Sequence, residues 1–122
     1  MPAQVDLRER LLSFGVRITK VVESLPKTSV GRTLGDQLLR SGLSVGANFE
    51  EAQAAESRAD FVHKLQIALK EAREANYWLC VVDRAAKLPH QRLVPLVDES
   101  VQVVAMLSKA VATAKGKAKT RG

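Results

Sequence analysis

The amino-acid sequence predicts an all-α fold, an antiparallel up-down-up-down four-helix bundle. Three observations predict it. Apolar residues recur at steps of three and four along four long segments, the spacing that gathers them on one helix face. Short breaks carrying Pro or Ser separate those segments, and connections that short make successive helices antiparallel neighbours. Aromatics are 4% of the 122 residues, with 7 Gly and 4 Pro, too few of each for a turn-rich sandwich or barrel.

The first segment carries Leu7, Leu11, Phe14, Ile18, Val21 and Leu25, with Asp6 before it as an N-cap. Leu25-Pro26-Lys27-Thr28-Ser29 ends it, because Pro lacks an N–H and restricts the residue before it. The second carries Leu34, Leu38, Ser41, Val45, Asn48 and Ala52, with Ser29 as its expected cap. It also holds Gly31, Gly35, Gly42 and Gly46. Each interior Gly costs roughly 1 kcal/mol of helix propensity, which close approach of a neighbouring helix can offset. The third runs through Phe61, Leu65, Ala68, Ala72, Ala75, Leu79, Val82 and Ala86, behind a Ser57–Asp60 pair resembling a capping box. The fourth, after Leu88-Pro89-His90, carries Leu93, Val97, Ser100, Val104, Leu107, Val111 and Ala114.

A chain of 13.3 kDa is one domain, expected over residues 1–114, followed by a basic flexible tail over 115–122. The net charge is +6. Lys115, Lys117, Lys119 and Arg121 supply most of it, so the body is only weakly basic. No apolar run is long enough to cross a membrane. The opening residues do not read as a secretory signal, and the lone Cys80 forms no intrachain disulfide. A reduced cytoplasmic setting is the expectation.

Catalytic constellations are scarce. No glycine-rich phosphate loop is present. Cys80 lies in an apolar stretch without a neighbouring His, as a structural thiol does. Asp60 and His63 make one Asp-x-x-His, whereas a di-iron bundle needs the motif twice with further Glu. The expectation is no enzyme, no cofactor and no metal.

Two other features are more informative. Arg40, Ser44 and Asn48 follow one another at four-residue steps, with Glu51 close behind. Across the bundle, Glu71 and Glu74 could meet Arg40, forming a polar network that fixes helix register or a recognition patch. Apolar residues also exceed one seam per helix. Leu96, Val103 and Ala110 repeat at seven with Met106 beside them, and Trp78 and Val81 lie off the third seam. In the first segment Leu12, Val16 and Val22 do the same. A second stripe predicts an oligomer interface at Leu96, Val103, Met106, Ala110, Trp78 and Val81. A bundle burying a wider face of each helix is the alternative.

The stretch Gln37-Leu38-Leu39-Arg40-Ser41-Gly42-Leu43-Ser44-Val45-Gly46-Ala47-Asn48-Phe49-Glu50-Glu51-Ala52 resembles the signature of the bacterial four helix bundle protein family. That family takes its name from proteins encoded by intervening sequences in 23S ribosomal RNA genes. Ala52 stands where the pattern usually has Gly, and Phe49 where it has Ile. Ile67 to Glu74 and Tyr77-Trp78-Leu79 also resemble a common family form, and the resemblance spans about residues 7–112. It implies a closed bundle that assembles as a homopentamer, and it does not imply an enzyme.

One branch of the family consists of accessory proteins of diversity-generating retroelements. They bind a reverse transcriptase and nucleic acid through basic surface. By that resemblance Arg8, Arg17, Lys20, Lys27 and Arg32 are candidates to bind RNA or DNA, joined by Lys115, Lys117, Lys119 and Arg121 of the tail. The expected function is a non-enzymatic homo-oligomeric scaffold for nucleic acid or a nucleic-acid-processing protein. The alternative is a protein–protein interaction module that binds no nucleic acid.

Overall fold

The computed structural model describes residues 6–85 and 87–121, with side chains as far as Gly116. These residues form four helices and no strand: α1 (Leu7–Ser24), α2 (Ser29–Gln53), α3 (Arg58–Arg84) and α4 (His90–Arg121). Side-chain contacts give their directions. Arg8 near the start of α1 meets Glu50 near the end of α2. Lys64 meets Glu51, and Arg40 meets Glu71 and Glu74, so α2 and α3 run oppositely. Asn76 meets Ser100 and Asp83 meets His90, so α4 reverses α3. Arg10 meets Glu99 while Arg92 meets Ser24, which closes the ring with α4 antiparallel to α1. Only adjacent helices around this ring pack together, and the α1–α4 contact is the smallest.

The expected starts are nearly those observed. Asp6 accepts from Glu9 N–H, and Ser57 accepts from Asp60 N–H at 3.0 Å. The Asp60 carboxylate reaches back to Glu56 N–H rather than to the cap residue, one position beyond a regular capping box. In α2 the cap is Thr28, not Ser29: its hydroxyl accepts from Gly31 N–H at 3.0 Å, and Ser29 is already helical. The helical backbone of α4 continues through residue 121, past the end expected at 114. Ala, Lys and Arg are strong helix formers, and extending an existing helix needs no new nucleus. The side chains of Lys117, Lys119 and Arg121 lie outside the described residues, as do Ala86 and residues 1–5.

The core joins Leu11, Phe14, Ile18, Leu38, Val45, Leu79, Leu93 and Leu107 along the bundle axis. A smaller cluster of Ala52, Leu65, Val111 and Ala114 extends it where α2 ends and α3 begins. The seams of α1, α2 and α3 are those the periodicity predicts, with Phe61, Leu7 and Asn48 only half-buried. On α4 the buried residues are Leu93, Leu96, Ser100, Val103, Leu107, Val111 and Ala114, while Val97 and Val104 are half-buried. The two stripes read from α4 are thus the two borders of one broad core-facing band.

Glycines set the spacing of α1 and α2. A Cβ on Gly42 would stand 2.8 Å from two Ile18 carbons, closer than real Cβ contacts. A Cβ on Gly31 would fall 1.9 Å from the Pro26 carbonyl oxygen, so only glycine lets the chain turn there. Among the described residues the buried polar side chains are Ser41 and Ser100. Ser41 is wholly buried and donates to its own helix at the Gln37 carbonyl, 2.9 Å away. Ser100 donates to the Val97 carbonyl at 2.7 Å and accepts from Asn76 Nδ2 at 2.8 Å, a link between α4 and α3 that the sequence reading did not single out.

Candidate interaction surfaces

The polar residues grouped from the sequence separate into three arrangements. Arg40 reaches from α2 to Glu71 at 3.2 Å and also bonds Glu74. Glu74 Oε2 additionally accepts from Trp78 Nε1 at 3.1 Å. These donors, Arg40 first and Trp78 second, hold the Glu74 carboxyl below its ordinary value, and the same carboxylates raise that of Arg40. Glu51 lies apart, paired with Lys64 at 2.9 Å. Ser44 and Asn48 turn back on their own helix, donating to the carbonyls of Arg40 at 2.6 Å and Ser44 at 2.9 Å. Short polar side chains within a helix commonly find such local partners. A second cross-helix pair, absent from the sequence reading, joins Arg10 to both oxygens of Glu99 at 2.8 and 2.9 Å. That fork lowers the Glu99 carboxyl and raises the Arg10 guanidinium.

The expected oligomer stripe needs correction. Leu96 and Val103 are 3% and 0% exposed, buried in the chain's own core, and cannot form an outer interface. Met106, Trp78 and Val81 are half-buried and pack against the main cluster, and Ala110 packs against the smaller one. An α-helix in a globular bundle commonly buries a band at least ~100° wide, and both α4 stripes fall inside it.

Of the large apolar side chains left exposed, three cluster on α1 and α2 instead. Leu12, Val16 and Leu43 are each about half exposed. They line a groove of about 310 Å³ between the two helices, with Gly15, Gly42 and Gly46 at its floor. Arg8 and Glu50 stand at one end of it. Leu12 and Val16 belong to the surplus already visible in the sequence, and Gly42 and Gly46 leave the hollow between them.

Of the basic candidates, Arg8 is engaged by Glu50 and Glu9. Arg17 is half-buried, and its charge helps to lower Glu99. Lys20, Lys27, Arg32 and Lys115 are exposed and carry no ion pair among the described residues. Arg32 donates to the Lys27 carbonyl at 3.1 Å, which joins these two at the α1–α2 turn. Arg84 and Arg92 lie at the same end of the bundle, on the α3–α4 side, where Arg92 bonds the Ser24 hydroxyl of α1. Linear spacing did not reveal this grouping, because turns far apart in sequence bring it together. Among the described residues no three His, Cys, Asp or Glu come together as metal ligands would. His90 Nδ1 lies 2.8 Å from an Asp83 oxygen, and Cys80 is half-buried on α3.

Fold and surface define the class: an all-α protein of four sequential antiparallel helices whose concavities lie on its outer faces. The chain belongs to the 23S rRNA-intervening sequence protein family, whose family model matches residues 4–109. Among solved structures it is similar to a protein of unknown function from the S23 ribosomal protein family of Bacteroides thetaiotaomicron. The two are 36% identical with a TM-score of 0.81, and the match covers 86% of this chain and 97% of that one. No curated protein matches the chain. Among the described residues no helix is long and apolar enough to cross a membrane.

Proposed function

We propose that the protein is a non-enzymatic cytoplasmic scaffold that assembles from copies of itself, as a pentamer, and binds nucleic acid or a protein that processes it, such as a reverse transcriptase. The observation that carries the reading is the division of its cations. Arg8, Arg10, Arg40 and Lys64 are neutralised by carboxylates. Lys20, Lys27, Arg32, Arg84 and Lys115 are exposed without such partners among the described residues. Unpaired surface cations are what phosphate neutralisation needs, and repeating them around an assembly multiplies weak contacts through avidity.

Light scattering after size exclusion, with and without short RNA and DNA at two salt concentrations, tests both halves. The expected result is an assembly that takes up nucleic acid at low salt and releases it steeply as salt rises. A monomer would remove the scaffold, and an assembly indifferent to nucleic acid would remove the ligand. The apolar α1–α2 groove favours a second reading, a module that binds a protein partner alone. Binding by that groove would persist at high salt.

A further inference from the structure

The outer face of α3 carries a second organisation of charge, which meets the turn-end cations at Arg84. His63, Lys70, Tyr77 and Arg84 follow at intervals of seven, and Arg73 lies one turn before Tyr77. Two turns of helix return to nearly the same angle, so these five residues form one stripe. All five are exposed. The carboxylates of the same helix are turned to other partners: Glu71 and Glu74 to Arg40, Asp83 to His90, and Asp60 to the α3 N-terminus. Lys70 lends some charge to Glu74, but no ion pair holds Lys70, Arg73 or Arg84 among the described residues.

Tyr77 is the feature that turns a basic stripe into something more selective. It is 59% exposed, whereas Phe14 is buried and Phe49, Phe61 and Trp78 are half-buried. Its ring is braced by Trp78, with centroids 5.1 Å apart and planes at 76°. Beside it lies a groove of about 620 Å³, lined by Asn76, Tyr77, Cys80, Val81, Arg84 and Ala85. Asn76 is itself fixed by Ser100. An aromatic platform held in place, with cations before and after it along one line, matches what single-stranded nucleic acid requires. A base stacks on the ring, and the backbone follows the charges. A duplex keeps its bases stacked on one another and would leave the ring unused.

We infer that the outer face of α3 binds single-stranded nucleic acid, with an unpaired base stacked on Tyr77 and the flanking phosphates held by Lys70, Arg73 and Arg84. The inference rests on the nucleic-acid reading above and adds the strand state, the helix and the stacking residue to it. The probes are fluorescently labelled single-stranded RNA and DNA of one mixed sequence, with the corresponding duplex as competitor. Affinity of the full chain is measured by anisotropy over a salt series.

The single strands are expected to bind more tightly than the duplex. Tyr77→Ala should weaken single-strand binding about five- to a hundredfold with little change in salt dependence, and Tyr77→Phe should retain it. Arg73→Ala and Arg84→Ala should each reduce the log–log salt slope by about 0.7. Comparison of the RNA and DNA arms identifies which polymer the face prefers. These residues are exposed, so circular dichroism of the variants should match that of the parent. Equal affinity of Tyr77→Ala and the parent, or equal losses in Tyr77→Ala and Tyr77→Phe, would overturn the inference. If stripe variants bind normally while Lys20→Ala and Arg32→Ala lose affinity, the α3 inference fails and the broader reading stands. If the parent chain binds none of the probes at low salt, both fail.

Discussion

Glu99 is a half-buried carboxylate on α4 that accepts a two-pronged bond from Arg10 of α1. The bond holds its carboxyl below the ordinary glutamate value, so folding favours the ionised form. The resulting stabilisation is complete above the unfolded value of about 4.3 and is lost as pH falls through the lower folded value. Glu99→Gln should therefore cost ~1 kcal/mol at neutral pH, and the cost should fade in strong acid, as melting curves across pH will show. Val103 offers a different test. Because it is fully buried, Val103→Ala should cost ~2 kcal/mol in urea unfolding without loosening any assembly. Both residues show the limit of linear reading. Val103 lay on a legible stripe whose inward direction the repeat did not reveal. Glu99 and Arg10 are 89 positions apart, and no spacing rule connects them. Ser44 and Asn48 stood at the right intervals for a network, yet each satisfied itself one turn back along its own helix.

At the scale of the helices the sequence was more transparent. Alternating steps of three and four located the seams of α1 and α3, and Pro26, Ser57 and Pro89 marked the connections between elements. Such signals are local, and the physics that writes them is local too: backbone donors, caps and one apolar face. The glycines of α2 are legible as a cost, but only the packed pair shows which of them is obligatory. Gly42→Ala should destabilise by ~1–3 kcal/mol, because its Cβ would press on the branched Cβ region of Ile18. Gly46→Ala should instead be neutral or stabilising by up to ~1 kcal/mol, since its Cβ would meet Leu11 at an ordinary 3.7 Å while helix propensity improves. Chemical denaturation of the two variants side by side checks the contrast. A comparable loss at both sites would mean that α1 lies closer to the whole of α2 than this packing allows.

For the molecule as a whole, fold class and family were legible and the outward-facing surfaces were not. The repeat counts apolar residues on each helix, but it does not say which stripe a neighbouring helix will cover. Packing assigned the α4 surplus to the core and left the α1–α2 surplus outside. The proposed self-assembly should therefore depend on that second location. Leu43→Glu, at a half-exposed position on the groove, should lower the mass seen by light scattering while leaving helicity intact. An undiminished mass would exclude the groove as the contact between copies.

The order of helices around the ring has a kinetic consequence. Every helix pair in contact is adjacent in sequence except α1 with α4, and that pair touches least. Short connections make the first three pairings fast to search, because little loop entropy is spent in bringing them together. Closure between α1 and α4 spans almost the whole chain and returns the smallest packing, so it belongs after the folding barrier. Removing Glu99 should then leave the rate of folding nearly unchanged and appear almost entirely as faster unfolding.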